Sequence, residues 1–165
     1  MKIEEKNGEF IITDFNEAEA YKIASKIEQD GIDFYTKILD EATEPAVKEK
    51  ISYLLNEEKK HLKFFQERLF EVSEDKADGF EEDNLLGYME YEVFKPFLDA
   101  KDLPENIKDA RKALNLGIIA ENSSINFYLS LRDKATSSET KDELAVIIEE
   151  EKSHRELFEQ LLNQI

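Results

Sequence analysis

The only two histidines of this 165-residue chain lie in matching stretches, Glu57-Glu58-Lys59-Lys60-His61 and Glu150-Glu151-Lys152-Ser153-His154. Each stretch contains Glu-x-x-His. On a helix, residues three apart share a face, so each motif aims a carboxylate and an imidazole at one point. That pairing of oxygen and nitrogen donors is suited to a divalent metal ion. A single Glu-x-x-His could arise by chance in a glutamate-rich helical chain. Two copies that use up every histidine call for a different explanation.

The match extends well beyond the motifs. Adding 93 to a residue number carries the first half onto the second without a gap. Glu28 falls on Glu121, Ile32 on Ile125, Phe34-Tyr35 on Phe127-Tyr128, and Asp40 on Asp133. Ala42-Thr43 falls on Ala135-Thr136, Lys48 on Lys141, Phe65 on Phe158 and Leu69 on Leu162. The chain therefore holds an internal duplication of a helical hairpin, and each copy carries a Glu followed, thirty residues on, by Glu-x-x-His.

Four long helices must position these residues, and the fold class is all-α. The first is expected from about Asn16 to Ala42, capped by Asn16 or Asp14, with Glu28 inside an apolar face of Ala20, Ile23, Ala24, Ile27, Ile32, Tyr35, Ile38 and Leu39. Thr43-Glu44-Pro45 makes the turn, and the second helix runs to about Glu71 with the stripe Val47, Ile51, Leu54, Glu58, His61, Phe65 and Leu69. A capping-box pattern at Asp102-Leu103-Pro104-Glu105 places the start of the third helix, which continues to about Ala135. Its stripe is Ala110, Leu114, Gly117, Ile118, Glu121, Ile125, Tyr128 and Leu131. A second such pattern at Thr136-Ser137-Ser138-Glu139 opens the fourth helix, which shows Leu144, Ile147, Glu151, His154, Phe158 and Leu161 on one face and ends near residue 163.

Residues 1–15 read as an N-terminal extension, and 16–165 as the bundle. Glu9 to Phe15 has strand-like composition without an obvious partner strand and is expected to lie on the bundle. Residues 72–104 form a crossover long enough to run the length of the bundle. Within it Leu85 to Leu98, with Tyr88, Met89, Tyr91, Phe94 and Phe97, is expected to form a short helix packed on the bundle or on a second subunit.

The spacing then builds a site. The midpoint of Glu28 and Glu58 is residue 43, in the first turn, and that of Glu121 and Glu151 is residue 136, in the last. At about 1.5 Å per residue each pair sits level, roughly 20 Å from its turn. Two hairpins around a shared core would set Glu28, Glu58, His61, Glu121, Glu151 and His154 in one layer. Four buried carboxylates without partners would be very costly, whereas two divalent cations balance them and two neutral imidazoles add no charge. Donors of oxygen and nitrogen without sulfur suit iron or manganese, and zinc also fits. Tyr35 and Tyr128 lie two turns after Glu28 and Glu121 on the same faces. They are candidates to hydrogen-bond those carboxylates and assist the chemistry, although a core aromatic with a satisfied hydroxyl explains them as well. Glu57 and Glu150 adjoin the motifs but are expected to face solvent.

Composition narrows the functions. There is no cysteine, which excludes disulfides, iron–sulfur clusters, thiolate zinc sites and a cysteine nucleophile within this chain. The net charge of −17 repels nucleic acid and anionic membranes and favours cations. No apolar run approaches a membrane span and the first residues do not read as a signal peptide, so a cytoplasmic protein is expected.

These motifs resemble those of rubrerythrin-type proteins, within the ferritin-like di-iron carboxylate bundles. The resemblance covers residues 16–42, 45–71, 105–135 and 138–163. It implies a ferritin-like four-helix bundle of two duplicated hairpins with a long crossover, holding two irons. Glu28 and Glu121 would be terminal ligands, and Glu58 and Glu151 bridges. It also implies reduction of hydrogen peroxide or oxygen. Rubrerythrins relay electrons through a rubredoxin-like iron centre that needs four cysteines. This chain has none, so a separate donor such as a rubredoxin-like protein is expected. Rubrerythrins also carry a further glutamate three residues after the one matching Glu121, where this chain has Ser124. Gly31 and Ser124, both small, therefore suggest an accessible face on the metal pair. Ferroxidase or iron-storage activity and non-catalytic metal binding are the competing readings, and a homodimer is the expected assembly.

Overall fold

Short turns and capped ends define the elements that carry the site. The computed structural model describes residues 2–6, 9–72 and 109–164. Helix α1 spans Glu17–Glu41 and α2 spans Pro45–Val72, α3 spans Ala110–Lys134 and α4 spans Ser138–Leu162. Asn16 caps α1 by accepting the Glu19 amide at 2.9 Å, and the Ala42 amide closes its far end onto Ile38 O. Pro45 opens α2, where a missing amide proton costs nothing. Only 42–44 and 135–137 separate the helices of each hairpin, so each pair is antiparallel with its midpoint in the turn.

Two boundaries differ from expectation. Asp109 caps α3, accepting the Lys112 amide at 3.1 Å, and the helix as described begins at Ala110. The capping pattern at 102–105 lies outside the described residues, as does the whole apolar segment Leu85 to Leu98. Ala110 is exposed and leaves the stripe assigned to it. At α4 the cap is Ser137 rather than Thr136, accepting from the Thr140 amide at 3.4 Å.

The strand-like stretch does have a partner. Strand β1, Lys2–Lys6, pairs antiparallel with β2, Glu9–Thr13, in a register that sets Lys6 opposite Glu9 and Ile3 opposite Ile12. β2 packs on α3, and Ile12 is buried in the core. Asp14, which has a φ of 50°, turns the chain from β2 into α1, a conformation that aspartate tolerates better than most residues.

The helices form a four-helix bundle. α1 lies against α2, α3 against α4, α1 against α3 and α2 against α4. The core repeats the duplication: Phe34 with Phe127, Tyr35 with Tyr128, Ile51 with Leu144, Leu54 with Ile147 and Phe65 with Phe158 are all buried. Burying each large apolar side chain is worth about 1.5–3 kcal/mol, which offsets the polar layer in their midst. Among the described residues no helix is long and apolar enough to cross a membrane.

Candidate metal centre

Each helix sends side chains into one layer at mid-height: Glu28 from α1, Glu58 and His61 from α2, Glu121 from α3, Glu151 and His154 from α4. All six are at most 4% exposed. Two overlapping groups hold donor atoms within 4.8 Å of one another, Glu28-Glu58-His61-Glu151 and Glu58-Glu121-Glu151-His154. Glu58 and Glu151 belong to both.

The orientation of those two carboxylates is the most informative feature. Glu58 sets Oε2 3.5 Å from His61 Nδ1 and Oε1 3.4 Å from His154 Nδ1. Glu151 sets Oε1 3.3 Å from His61 Nδ1 and Oε2 3.3 Å from His154 Nδ1. Each therefore offers one oxygen to either histidine. Glu28 Oε2 lies 3.7 Å from His61 Nδ1. The imidazole rings lie side by side, centroids 5.7 Å apart, with both Nδ1 atoms turned inward.

Electrostatics in the metal-free cluster follow from crowding four carboxyls into a water-poor layer. Burial pushes Glu28 and Glu121 well above the carboxylate range, and the charges of Glu58 and Glu151 push the same way. Burial acts on Glu58 and Glu151 too, but the nearby imidazoles of His154 and His61 outweigh it and hold them below the range. Burial alone would pull His154 down, but Glu151 and Glu58 push it up to about 11, and His61 is raised by Glu151, Glu28 and Glu58. The metal-free cluster therefore favours protons on both imidazoles and on Glu28 and Glu121, and charge on Glu58 and Glu151.

His61 Nδ1 is buried with carboxylate oxygens around it, yet has no hydrogen-bond partner of acceptable geometry. Loss of its proton would turn the Nδ1 lone pair toward those same oxygens, where a cation could join them. The donor set, carboxylate and imidazole without sulfur, fits a hard or borderline divalent ion, so the residues can hold metal.

The tyrosines reach the site by crossing it. Tyr35 of α1 donates to Glu121 Oε1 of α3, and Tyr128 of α3 donates to Glu28 Oε1 of α1. Sequence spacing placed each tyrosine near the carboxylate of its own helix, and the bundle pairs it with the other one. Glu150 departs further from expectation. Although its side chain is 45% exposed, its Oε2 accepts from His61 Nε2 at 2.9 Å, which leaves Nδ1 free to face the centre. Its counterpart Glu57 pairs with Lys60 at 2.6 Å. The equal spacing of Glu57 and Glu150 from their motifs gave no sign of this difference. Gly31 and Ser124 are both buried, so the open face expected there is closed to solvent.

A comparison of the sequence with family models adds an independent line. The model described as rubrerythrin matches residues 2–69 and 77–165, nearly the whole chain. No curated protein and no solved structure matches. With the duplicated Glu-x-x-His hairpins, the four-helix bundle and the six-residue layer agreeing with that match, the chain belongs to the rubrerythrin family.

Proposed function

We propose that this chain is a di-iron carboxylate oxidoreductase of rubrerythrin type that reduces hydrogen peroxide with electrons from a separate donor. The observation that carries the reading is the double-facing orientation of Glu58 and Glu151. Glu28, His61 and one oxygen from each shared carboxylate would hold one ion; Glu121, His154 and the other two oxygens would hold its neighbour. When bound, two ferrous ions supply one electron each, the number needed to reduce peroxide to water.

The chain's own residues prepare that chemistry. Tyr128 and Tyr35 hold Oε1 of Glu28 and Glu121, which restricts how those carboxylates turn. Glu150 sets the proton of His61 on Nε2. The buried rings of Phe65 and Phe158 help keep water from the layer. Having no cysteine, the chain holds no thiolate iron relay, so electrons must arrive from a rubredoxin-like protein or a small reductant.

Stopped-flow mixing of the diferrous protein with peroxide or with oxygen at equal concentration tests the reading. Peroxide should oxidise the iron faster, and turnover should require an added electron carrier. Faster oxidation by oxygen would overturn peroxide reduction in favour of ferroxidase activity.

A further inference from the structure

Tyr128 does more than hold Glu28. Its ring stacks on Phe65, with centroids 5.4 Å apart and planes at 27°, and Phe65 lies 6.3 Å from the ring of Tyr21. Three neighbouring aromatic rings thus lead from a carboxylate of the metal layer toward the end of the bundle where α1 and α4 begin and α2 finishes. A phenol paired with a carboxylate stands at each end. Tyr128 donates to Glu28; Tyr21 lies 3.4 Å from Glu17 Oε1 and 3.3 Å from Thr140 Oγ1, which itself donates to Glu17 at 3.2 Å.

The duplication breaks here. The other half starts alike, with Tyr35 5.5 Å from Phe158, but the counterpart of Tyr21 is Leu114, equally buried. A leucine therefore fills the same core position, and packing alone gives no reason for a phenol. Burial raises the Tyr21 pKa against the opposing Thr140 hydrogen bond, so the group is a neutral phenol at neutral pH. Glu17 on its own helix, Glu143 on α4 and Arg68 on α2 are the charges that act on it.

We propose that Tyr21, connected through Phe65 and Tyr128, donates an electron to the metal pair when peroxide arrives after the ferrous electrons are spent. This rests on the di-iron reading above. Peroxide reacting at an already oxidised pair leaves two oxidising equivalents there. Tyr128 gives one electron to that oxidant and its phenolic proton to Glu28. Tyr21 then gives an electron across Phe65 to the Tyr128 phenoxyl and its own proton to Glu17, directly or through Thr140, while Glu28 returns the first proton to Tyr128. In sum, one O–H bond breaks at Tyr21, Glu17 gains the proton and one oxidising equivalent is removed. The other stays at the metal pair until the external donor reduces it. The damage is moved from the ligands to a phenol that the same donor can restore.

The test is electron paramagnetic resonance on iron-loaded, fully oxidised protein, frozen shortly after mixing with hydrogen peroxide, with bound iron measured on the same sample. The unmutated protein should show a tyrosyl radical. Tyr21→Phe, which keeps the ring, should lose that signal or replace it with one of different hyperfine pattern from Tyr128. Phe65→Leu should lower its yield, and Tyr53→Phe, at an exposed site off the route, should leave it unchanged. Iron bound with no radical, or with the same radical in Tyr21→Phe, overturns this proposal alone. A chain that binds no iron overturns it together with the di-iron reading.

Discussion

His61 and Glu150 are joined across α2 and α4 by a 2.9 Å hydrogen bond from Nε2 to a half-exposed carboxylate, while His154 has no such arrangement with Glu57, which is turned to Lys60. The two halves of an otherwise duplicated centre are therefore unequal. A carboxylate behind a ligating histidine raises its basicity and fixes its tautomer, and losing one typically costs about 10–100-fold in metal affinity. Glu150→Gln should weaken one of two bound ions by about that factor and spare the other. Anaerobic ferrous titration reads this directly; equal weakening of both ions would show that the bond does not distinguish them.

The sharing of Glu58 and Glu151 predicts a pattern of metal loss. The unmutated chain should bind about two irons. Glu58→Ala removes a donor from both groups and should abolish binding of the pair, whereas His61→Ala removes one from a single group and should leave about one ion. Metal analysis after anaerobic loading decides it. Similar losses in both variants would argue that the two groups do not act as separate sites.

Metal and protons compete for the same atoms. In the metal-free layer the shifts favour the protonated forms of Glu28, Glu121, His61 and His154. Loading divalent ions should therefore release protons, since the ligands bind metal deprotonated. Calorimetric titration in buffers of different ionisation enthalpy counts them. Release of none would contradict the charge state assigned here.

The same shifts fix how metal-free stability varies with pH. His61, His154, Glu28 and Glu121 have folded pKa values above their ordinary ones, so their contribution is complete below those ordinary values and is lost as pH climbs through the folded ones. For His154 that window runs from 6.5 to about 11. Glu58 and Glu151 are lowered, so theirs is complete above 4.5 and is lost on acidification. The Tm of the metal-free protein should fall as pH rises from 6.5 toward 11, and metal, binding only the folded state, should restore it. A flat profile measured by circular dichroism would refute this.

Gly117 lies beneath Phe158, where an added Cβ would come within 2.8 Å of Cε1 and Cζ. That ring also meets Tyr35, the donor to Glu121. Overpacking costs about 1–3 kcal/mol, against a gain of about 1 kcal/mol for replacing a helical glycine. Gly117→Ala should lower Tm by a few degrees and loosen the Glu121 side of the centre. An unchanged or higher Tm would mean that Phe158 moves aside freely.

Helices, turns and the level pairing of carboxylates within each hairpin were legible in the sequence because each is a local property, whereas the meeting of the two hairpins in one layer belongs to the bundle. A period of 3.6 decides which residues share a face, and equal distances from a turn put Glu28 level with Glu58 and Glu121 level with Glu151. Strand β1 gave no signal of its own, since four of its five residues are charged. Other features had no local cause. Tyr35 meets Glu121 and Tyr128 meets Glu28 only because α1 lies against α3, which lets each tyrosine reach a carboxylate on the facing helix. Glu150 turns to His61 while Glu57 does not, although both occupy the same place in their motifs. Contacts between helices 86 to 100 residues apart depend on how each helix is rotated about its axis and on which neighbour it meets. Only the packed bundle sets those two quantities, because they follow from the summed fit of all four apolar faces rather than from any one segment.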